Sequence, residues 1–185
     1  MKKIDVEITG VAPLLQHRYP LEDTGENATK SKKKVYIPSE DAAKAMYTDK
    51  EGNAVVPSEH ILGALIRGGV KFKYEGRITY MQIIKAGILV HPDMCPLLNK
   101  EGEQFKTYDE IDIRPVVIQR ARIARSRPQF NDWKVKFTIE IFDENDIAPS
   151  VLKEILEHAG GRCGIGDFRP RFGRFQVTSW QVQEE

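Results

Sequence analysis

The sequence predicts an α+β fold on a ferredoxin-like or RRM-like plan. The plan is β-α-β-β-α-β, a four-stranded antiparallel sheet with two helices on one face and with loop and hairpin insertions. Three observations carry it. The chain opens on a strictly alternating segment, two amphipathic helical patterns follow at well-separated positions, and the last ten or so residues alternate again. The 185 residues fit one such domain over 1–185, with insertions at approximately 20–55 and 93–130. A chain of this length buries a core without disulfides.

Each element has its own signature. In "KIDVEIT" the residues Ile4, Val6 and Ile8 share one face of a first strand. Gly10 and Pro13 lead out of it into "LLQHRYP". Residues 21–34 are polar and end in "KSKKK", the pattern of a loop. "YIPSED" and "VVPSEH" are similar phrases, each a short strand, a proline and a Ser-Glu pair that opens a helix. The first helix, Glu40 to Met46, is brief. The second runs from Ser58 to about Phe72, with Ile61, Leu62, Leu65, Ile66 and Val70 at helical spacing.

"MQIIKAGILVHP" reads as a buried strand ending at Pro92, and Met94 to Asp109 as a loop insertion. "IDIRPVVIQRARIARSRPQF" and "DWKVKFTIEIFD" read as two long strands paired through the turn residues of "RPQFND". "APSVLKEILEHAGG" is the second amphipathic helix. Val151, Leu152, Ile155, Leu156 and Ala159 face the core, and Gly160 and Gly161 stop it. "RFQVTSWQV" is the final strand.

Composition excludes several classes. No apolar run is long enough to span a membrane, and the N-terminus has no apolar signal core, so no membrane partner and a cytoplasmic location are expected. Cys95 and Cys163 lie outside any zinc spacing, and no HxH or HxxxH occurs, so no metal site is expected. Walker A, GxSxG and dinucleotide-binding fingerprints are absent, and no cofactor is expected. The net charge of +1 means that any basic surface is local.

Such a surface is visible in "GGRCGIGDFRPRFGRF". Gly164, Gly166 and Gly173 permit positive φ and open backbone N–H groups. Arg162, Arg169, Arg171 and Arg174 offer forked donors that match phosphate, and Phe168 and Phe172 offer stacking faces for bases or anchors for the loop. A second basic element, "RPVVIQRARIARSRP", carries Arg114, Arg120, Arg122, Arg125 and Arg127. Arginine rather than lysine there favours planar recognition of phosphate over simple solubility. The lysine run Lys30, Lys32, Lys33, Lys34 is the composition of a solvated loop. His17, beside Arg18, is the one candidate general acid or base.

Two of these phrases resemble a known family. "VVPSEHILGALIRGG" is similar, at Pro57, Ser58, Gly63, Ala64, Leu65 and Arg67, to the "I-P-G-S-S-L-K-G-A-L-R" phrase of the CRISPR-associated RAMP superfamily of RNA-binding proteins. "GIGDFRPRFGRFQV" resembles that superfamily's C-terminal loop, G-x-G-x-x-R-x-x-G-F-G-R-V, at Gly164, Gly166, Arg169, Gly173 and Arg174. The arginine-bearing region from Arg114 to Asp143 resembles the hairpin region of the backbone subunits of CRISPR effector complexes. The resemblance implies an RRM-like core that binds RNA through sugar-phosphate contacts, with Arg67 and the loop residues at the site. It further implies homo-oligomeric stacking along a guide RNA and partnership with other RAMP-type proteins.

The departures from the pattern are Ser58-Glu59-His60 in place of Gly-Ser-Ser, Asp167 after Gly166, and Pro170 within the loop. No position matches a catalytic aspartate of the target-cleaving subunits. With the short chain, these departures fit a stand-alone or mobile-element relative. The expected function is therefore non-catalytic binding of RNA or single-stranded DNA. Two alternatives stand beside it: a metal-independent RNA endonuclease of the guide-processing type using His17, and a structural or assembly protein with no nucleic-acid ligand.

Overall fold

A computed structural model describes residues 1–19, 36–118 and 120–183. The lysine run at 30–34 lies outside the described residues. Strand β1 (Lys2–Gly10) lies inside a six-stranded antiparallel sheet, with Ile4, Val6 and Ile8 buried as the alternation requires. It pairs on one side with β10 (Lys134–Ile141), where Ile4, Val6 and Ile8 face Ile139, Phe137 and Val135. On the other side it pairs with β11 (Phe175–Val182), where the same three face Val182, Trp180 and Val177 across a register slip at Glu7/Ile8. Strand β6 (Ile88–His91) takes the far edge of β10. Strand β7 (Met94–Leu98) continues along that edge through Leu97 and Leu98, and β3 (Val55–Pro57) pairs with β7.

Helices α2 (Ser58–Gly69) and α4 (Pro149–Arg162) pack on each other and on one face of this sheet. Ile61, Leu65, Leu152, Ile155 and Leu156 are fully buried between them and the strands. The two helices approach closely because Gly68 has no side chain. A Cβ there would lie 2.9 Å from the Ile155 carbonyl and 2.9 Å from the Ala159 methyl. Helix α1 (Pro38–Lys44) rests instead on a second, three-stranded sheet of β2 (Leu14–Leu15), β9 (Ala121–Phe130) and β8 (Glu110–Ile118). The pair β4 (Lys73–Glu75) and β5 (Ile78–Thr79) leads into α3 (Tyr80–Gly87).

The structure corrects the sequence reading at five points. The main sheet has six strands, not four, because β3 and β7 extend it. Residues 80–87 are helix α3, and only Ile88–His91 is strand. The apolar run suits either period, and a capping interaction decides for the helix, with Gln82 Oε1 accepting from the Thr79 amide (3.2 Å) and hydroxyl (2.8 Å). The 94–109 stretch begins with β7, whose Cys95 and Leu97 are buried. Its pairing with β10 is confined to Leu97 and Leu98, past the proline that obscured it.

The long arginine segment pairs with itself. Strand β8 pairs with β9 from Glu110↔Gln129 to Ile118↔Ala121, and Arg120 takes positive φ in the turn. A single strand over residues 111–130 would run about 66 Å, longer than a domain of this size can cover. Last, Gly160 and Gly161 do not stop α4. Gly160 is buried where a Cβ would lie 2.3 Å from the Phe175 carbonyl, and the left-handed Gly164 ends the helix by donating to the Ala159 carbonyl at 2.9 Å.

Candidate nucleic-acid interface

The glycine-rich loop from Gly164 to Gly173 is fastened on two sides. On one, its backbone hydrogen-bonds the segment that precedes His17: Asp167 N donates to the Leu15 carbonyl (2.8 Å) and Gly173 N to the Pro13 carbonyl (2.8 Å). Gly166 and Gly173 are needed there for close approach as well as for positive φ. Their Cβ atoms would fall 2.4 Å from the Leu15 oxygen and 1.8 Å from the Ile165 oxygen. The glycines therefore serve packing of the loop onto its neighbours, a use that spacing alone does not distinguish from an open nest of N–H groups.

On the other side the loop meets the β8–β9 hairpin through a charged cluster. Arg127, almost wholly buried, donates from Nε to Asp167 Oδ2 at 2.6 Å, and its Nη1 lies 3.6 Å from Asp112 Oδ2. Asp112 faces Arg127 directly across the strands and also accepts from Arg114 Nε at 2.6 Å. Phe168 and Phe172 stack at 5.7 Å, and the Arg114 guanidinium lies 5.4 and 5.2 Å from their centroids. Burial raises the Asp167 carboxyl, but the hydrogen bond and charge of Arg127, with the Phe168 amide and His17, hold it below the ordinary value.

Beyond this cluster the loop opens a shallow cleft of about 480 Å³, lined by Arg67, Arg162, Cys163, Asp167, Phe168, Arg169 and Pro170. Among the described residues Arg67, Arg162 and Arg169 form no ion pair, and Phe168 is 44% exposed at the rim. Burial, then the charge of Arg169, disfavours the charged form of Arg67. His60 sits in the same field: burial first, then Arg169 and Arg67, lower its pKa, against Glu59 and Asp167. Its ring meets Tyr47 edge-on at 5.3 Å.

His17 is half-buried. Burial and the charges of Arg125 and Arg127 lower its pKa against Asp167, and its Nδ1 is buried without a hydrogen-bond partner among the described residues.

The predicted residues therefore fall into four groups. Arg67, Arg162, Arg169 and Phe168 converge on the cleft, with Gly164, Gly166 and Gly173 shaping the loop. Arg171 lies over Phe172 at 6.0 Å, and Arg174 donates to the Pro170 carbonyl at 2.7 Å; both are exposed and neither lines the cleft. Arg114 and Arg127 turn toward carboxylates, while the charge of Arg125 acts on His17. Arg120 and Arg122 stand exposed at the hairpin tip, away from the cleft. His60 and Tyr47 escaped the sequence reading. His60 had a signal, because it precedes Arg67 by seven residues and so shares its helix face.

The open face of the main sheet is different in kind. Asp5, Glu7, Lys136 and Thr138 satisfy one another there, with Thr138 Oγ1 donating to Asp5 at 2.8 Å and Lys136 3.5 Å from Glu7. The residues of β1, β10, β11 and β6 on that face include no Phe, Tyr or Trp. Among the described residues no group of His, Cys, Asp and Glu could hold a metal ion, and no helix is long and apolar enough to cross a membrane.

No family model matches the chain, and none of the curated proteins does. Solved structures do. A cryo-EM structure of the type III-B Cmr-beta bound to cognate target RNA contains a chain similar to this one, with a TM-score of 0.57 and 10% sequence identity. The similarity covers 99% of this chain and 61% of that one, so this chain spans about three-fifths of its neighbour's length. At that identity the likeness is one of fold.

Proposed function

We propose that this protein binds RNA along its sugar-phosphate backbone, without base specificity, as a subunit of a larger RAMP-type assembly. The observation that carries the reading is the convergence of Arg67, Arg162 and Arg169, none ion-paired among the described residues, on one cleft beside the exposed Phe168. Forked guanidinium donors fit phosphate oxygens, and an aromatic rim accepts any base. The strand path β11-β1-β10-β6, with α2 and α4 on one face, supports the ferredoxin-like core, to which β7 and β3 are additions. The fold neighbour's RNA-bound state and the two RAMP-like phrases lie behind the choice of RNA and of an assembly.

The test is a salt titration of binding to labelled single-stranded RNA and matched DNA, with light scattering in parallel. Affinity should fall steeply with salt, and the slope of log K against log salt should flatten by about 0.7 for Arg169→Ala, one phosphate contact. Particles should grow on the RNA. No binding at low salt would leave the assembly-protein reading. The same mixtures, run on a denaturing gel without metal, should show intact RNA. Cleavage that disappears in His17→Ala would replace this reading with the endonuclease.

A further inference from the structure

We infer that Asp112 and Asp167, two acids set within a basic site, are positioning residues for nucleic-acid binding: with Arg127 they clasp the glycine-rich loop to the β8–β9 hairpin. The inference rests on the reading of the adjacent cleft as a phosphate site. The clasp holds two arginines and two carboxylates, so its charges cancel. Arg127 Nε bonds Asp167 on the loop, its Nη1 faces Asp112 on the neighbouring strand, and Arg114 bonds the other oxygen of Asp112 while lying over Phe168 and Phe172. Arg127 has 6% of its side chain exposed, which leaves it no reach to a ligand in solvent.

The clasp ends where the cleft begins. Asp167 is followed by Phe168, held at φ 53°, and then by Arg169, and all three line the cleft. Phe168 is not a glycine, so its left-handed conformation needs outside support. The Asp167 carboxylate, the Phe172 stack and the Arg114 and Arg127 guanidinium groups around the ring supply it. Releasing Asp167 frees the residue that aims Phe168 and Arg169, and the hairpin and loop cease to act as one rigid surface.

Electrostatics and positioning predict opposite signs. Asp167→Asn removes a negative charge beside three arginines, so simple phosphate attraction predicts tighter binding. Loss of the clasp predicts weaker binding, because apparent affinity falls with the fraction of chains in the competent geometry. That is about tenfold if the fraction drops to about a tenth.

The experiment measures affinity of the full chain for a fluorescein-labelled single-stranded RNA, and its salt slope, for wild type, Asp167→Asn, Asp112→Asn and Asp167→Glu. Asp167→Glu keeps the charge and moves the carboxylate outward, so it isolates geometry. All three variants are expected to bind about tenfold more weakly with the wild-type salt slope. Amide exchange without RNA follows each variant and is expected to accelerate at 167–171 while the main-sheet amides stay protected. That readout stands even where a variant is less stable. Equal or tighter binding by Asp167→Asn and Asp167→Glu overturns the clasp and leaves the cleft standing. No RNA binding by the wild type overturns both.

Discussion

At the scale of single residues, the two histidines near the arginines should make the proposed RNA binding sensitive to pH. His17 and His60 both titrate below the ordinary 6.5, first because they are buried and then because arginines face them. For His60 those groups are Arg169 and Arg67 opposed by Glu59 and Asp167, and for His17 they are Arg125 and Arg127 opposed by Asp167. In the free protein both are therefore neutral at pH 7. Since each folded pKa lies below the unfolded one, the unfolded chain takes up protons first. Stability is full above about pH 6.5 and declines as pH falls from there through the folded values. A phosphate bound in the cleft would oppose the arginine field and should raise both pKa values, so binding should take up protons. Affinity should rise from pH 8 to pH 6 at fixed ionic strength, by at most about tenfold per pH unit for each histidine. His60→Gln should remove part of that dependence, as anisotropy titrations at three pH values would show. A flat profile in the wild type would mean that neither imidazole reaches phosphate. By contrast the buried Cys95 thiol is pushed up to about 12, first by burial and then by the charges of Asp93 and Glu59, and takes no part in this range.

At the scale of elements, glycines that look alike in sequence have opposite uses. Gly161 lies in α4 at ordinary helical φ with open space around its missing Cβ. Gly173, twelve residues on, sits at φ 71° with the Ile165 oxygen where a Cβ would go. Gly161→Ala should stabilise the protein by about 0.5–1 kcal/mol through helix propensity. Gly173→Ala should cost about 3 kcal/mol in strain and displaced backbone, and should weaken RNA binding as the loop moves. Urea unfolding of the two variants measures both signs, and equal effects would remove the distinction. The same pair shows what was legible. "GGRCG" in the sequence marks a helix end, and it is one, but the first glycine of the phrase is spaced for Phe175 and the last makes the stop. Choosing between them needs to know what packs on the helix. Strand β1 and the core face of α4 needed no such knowledge, since their periodicity states which side is buried. The β8–β9 hairpin was hidden because the sequence between the paired Ile118 and Ala121 carries neither Gly nor Pro.

At the scale of the whole molecule, the arginines named from the sequence are divided by contacts made far apart in the chain. Arg114 and Arg127 share the segment of Arg120 and Arg122, yet only the first two meet Asp112 and Phe168, because the strand pairing puts them at the base of the hairpin. Sequence reasoning found a basic chain segment; which of its charges are free depends on Asp167, 40 residues from Arg127. On the proposed reading, the same division selects the side of the molecule that nucleic acid should meet. An RRM-like sheet that binds RNA on its open face does so by stacking bases on aromatic side chains. Here that face carries Asp5, Glu7, Lys136 and Thr138 in mutual contact, while free arginines and an exposed phenylalanine stand at the loop cleft near the C-terminal end of α4. Lys136→Glu and Arg162→Glu change the net charge equally, by two units, so bulk attraction affects them alike. Lys136→Glu should alter RNA affinity by less than about twofold, an effect of screened distance, whereas Arg162→Glu should weaken it at least about tenfold and flatten the salt slope. Equal losses in the two would mean that net charge rather than the cleft drives binding, and a larger loss for Lys136→Glu would move the interface to the open face of the sheet.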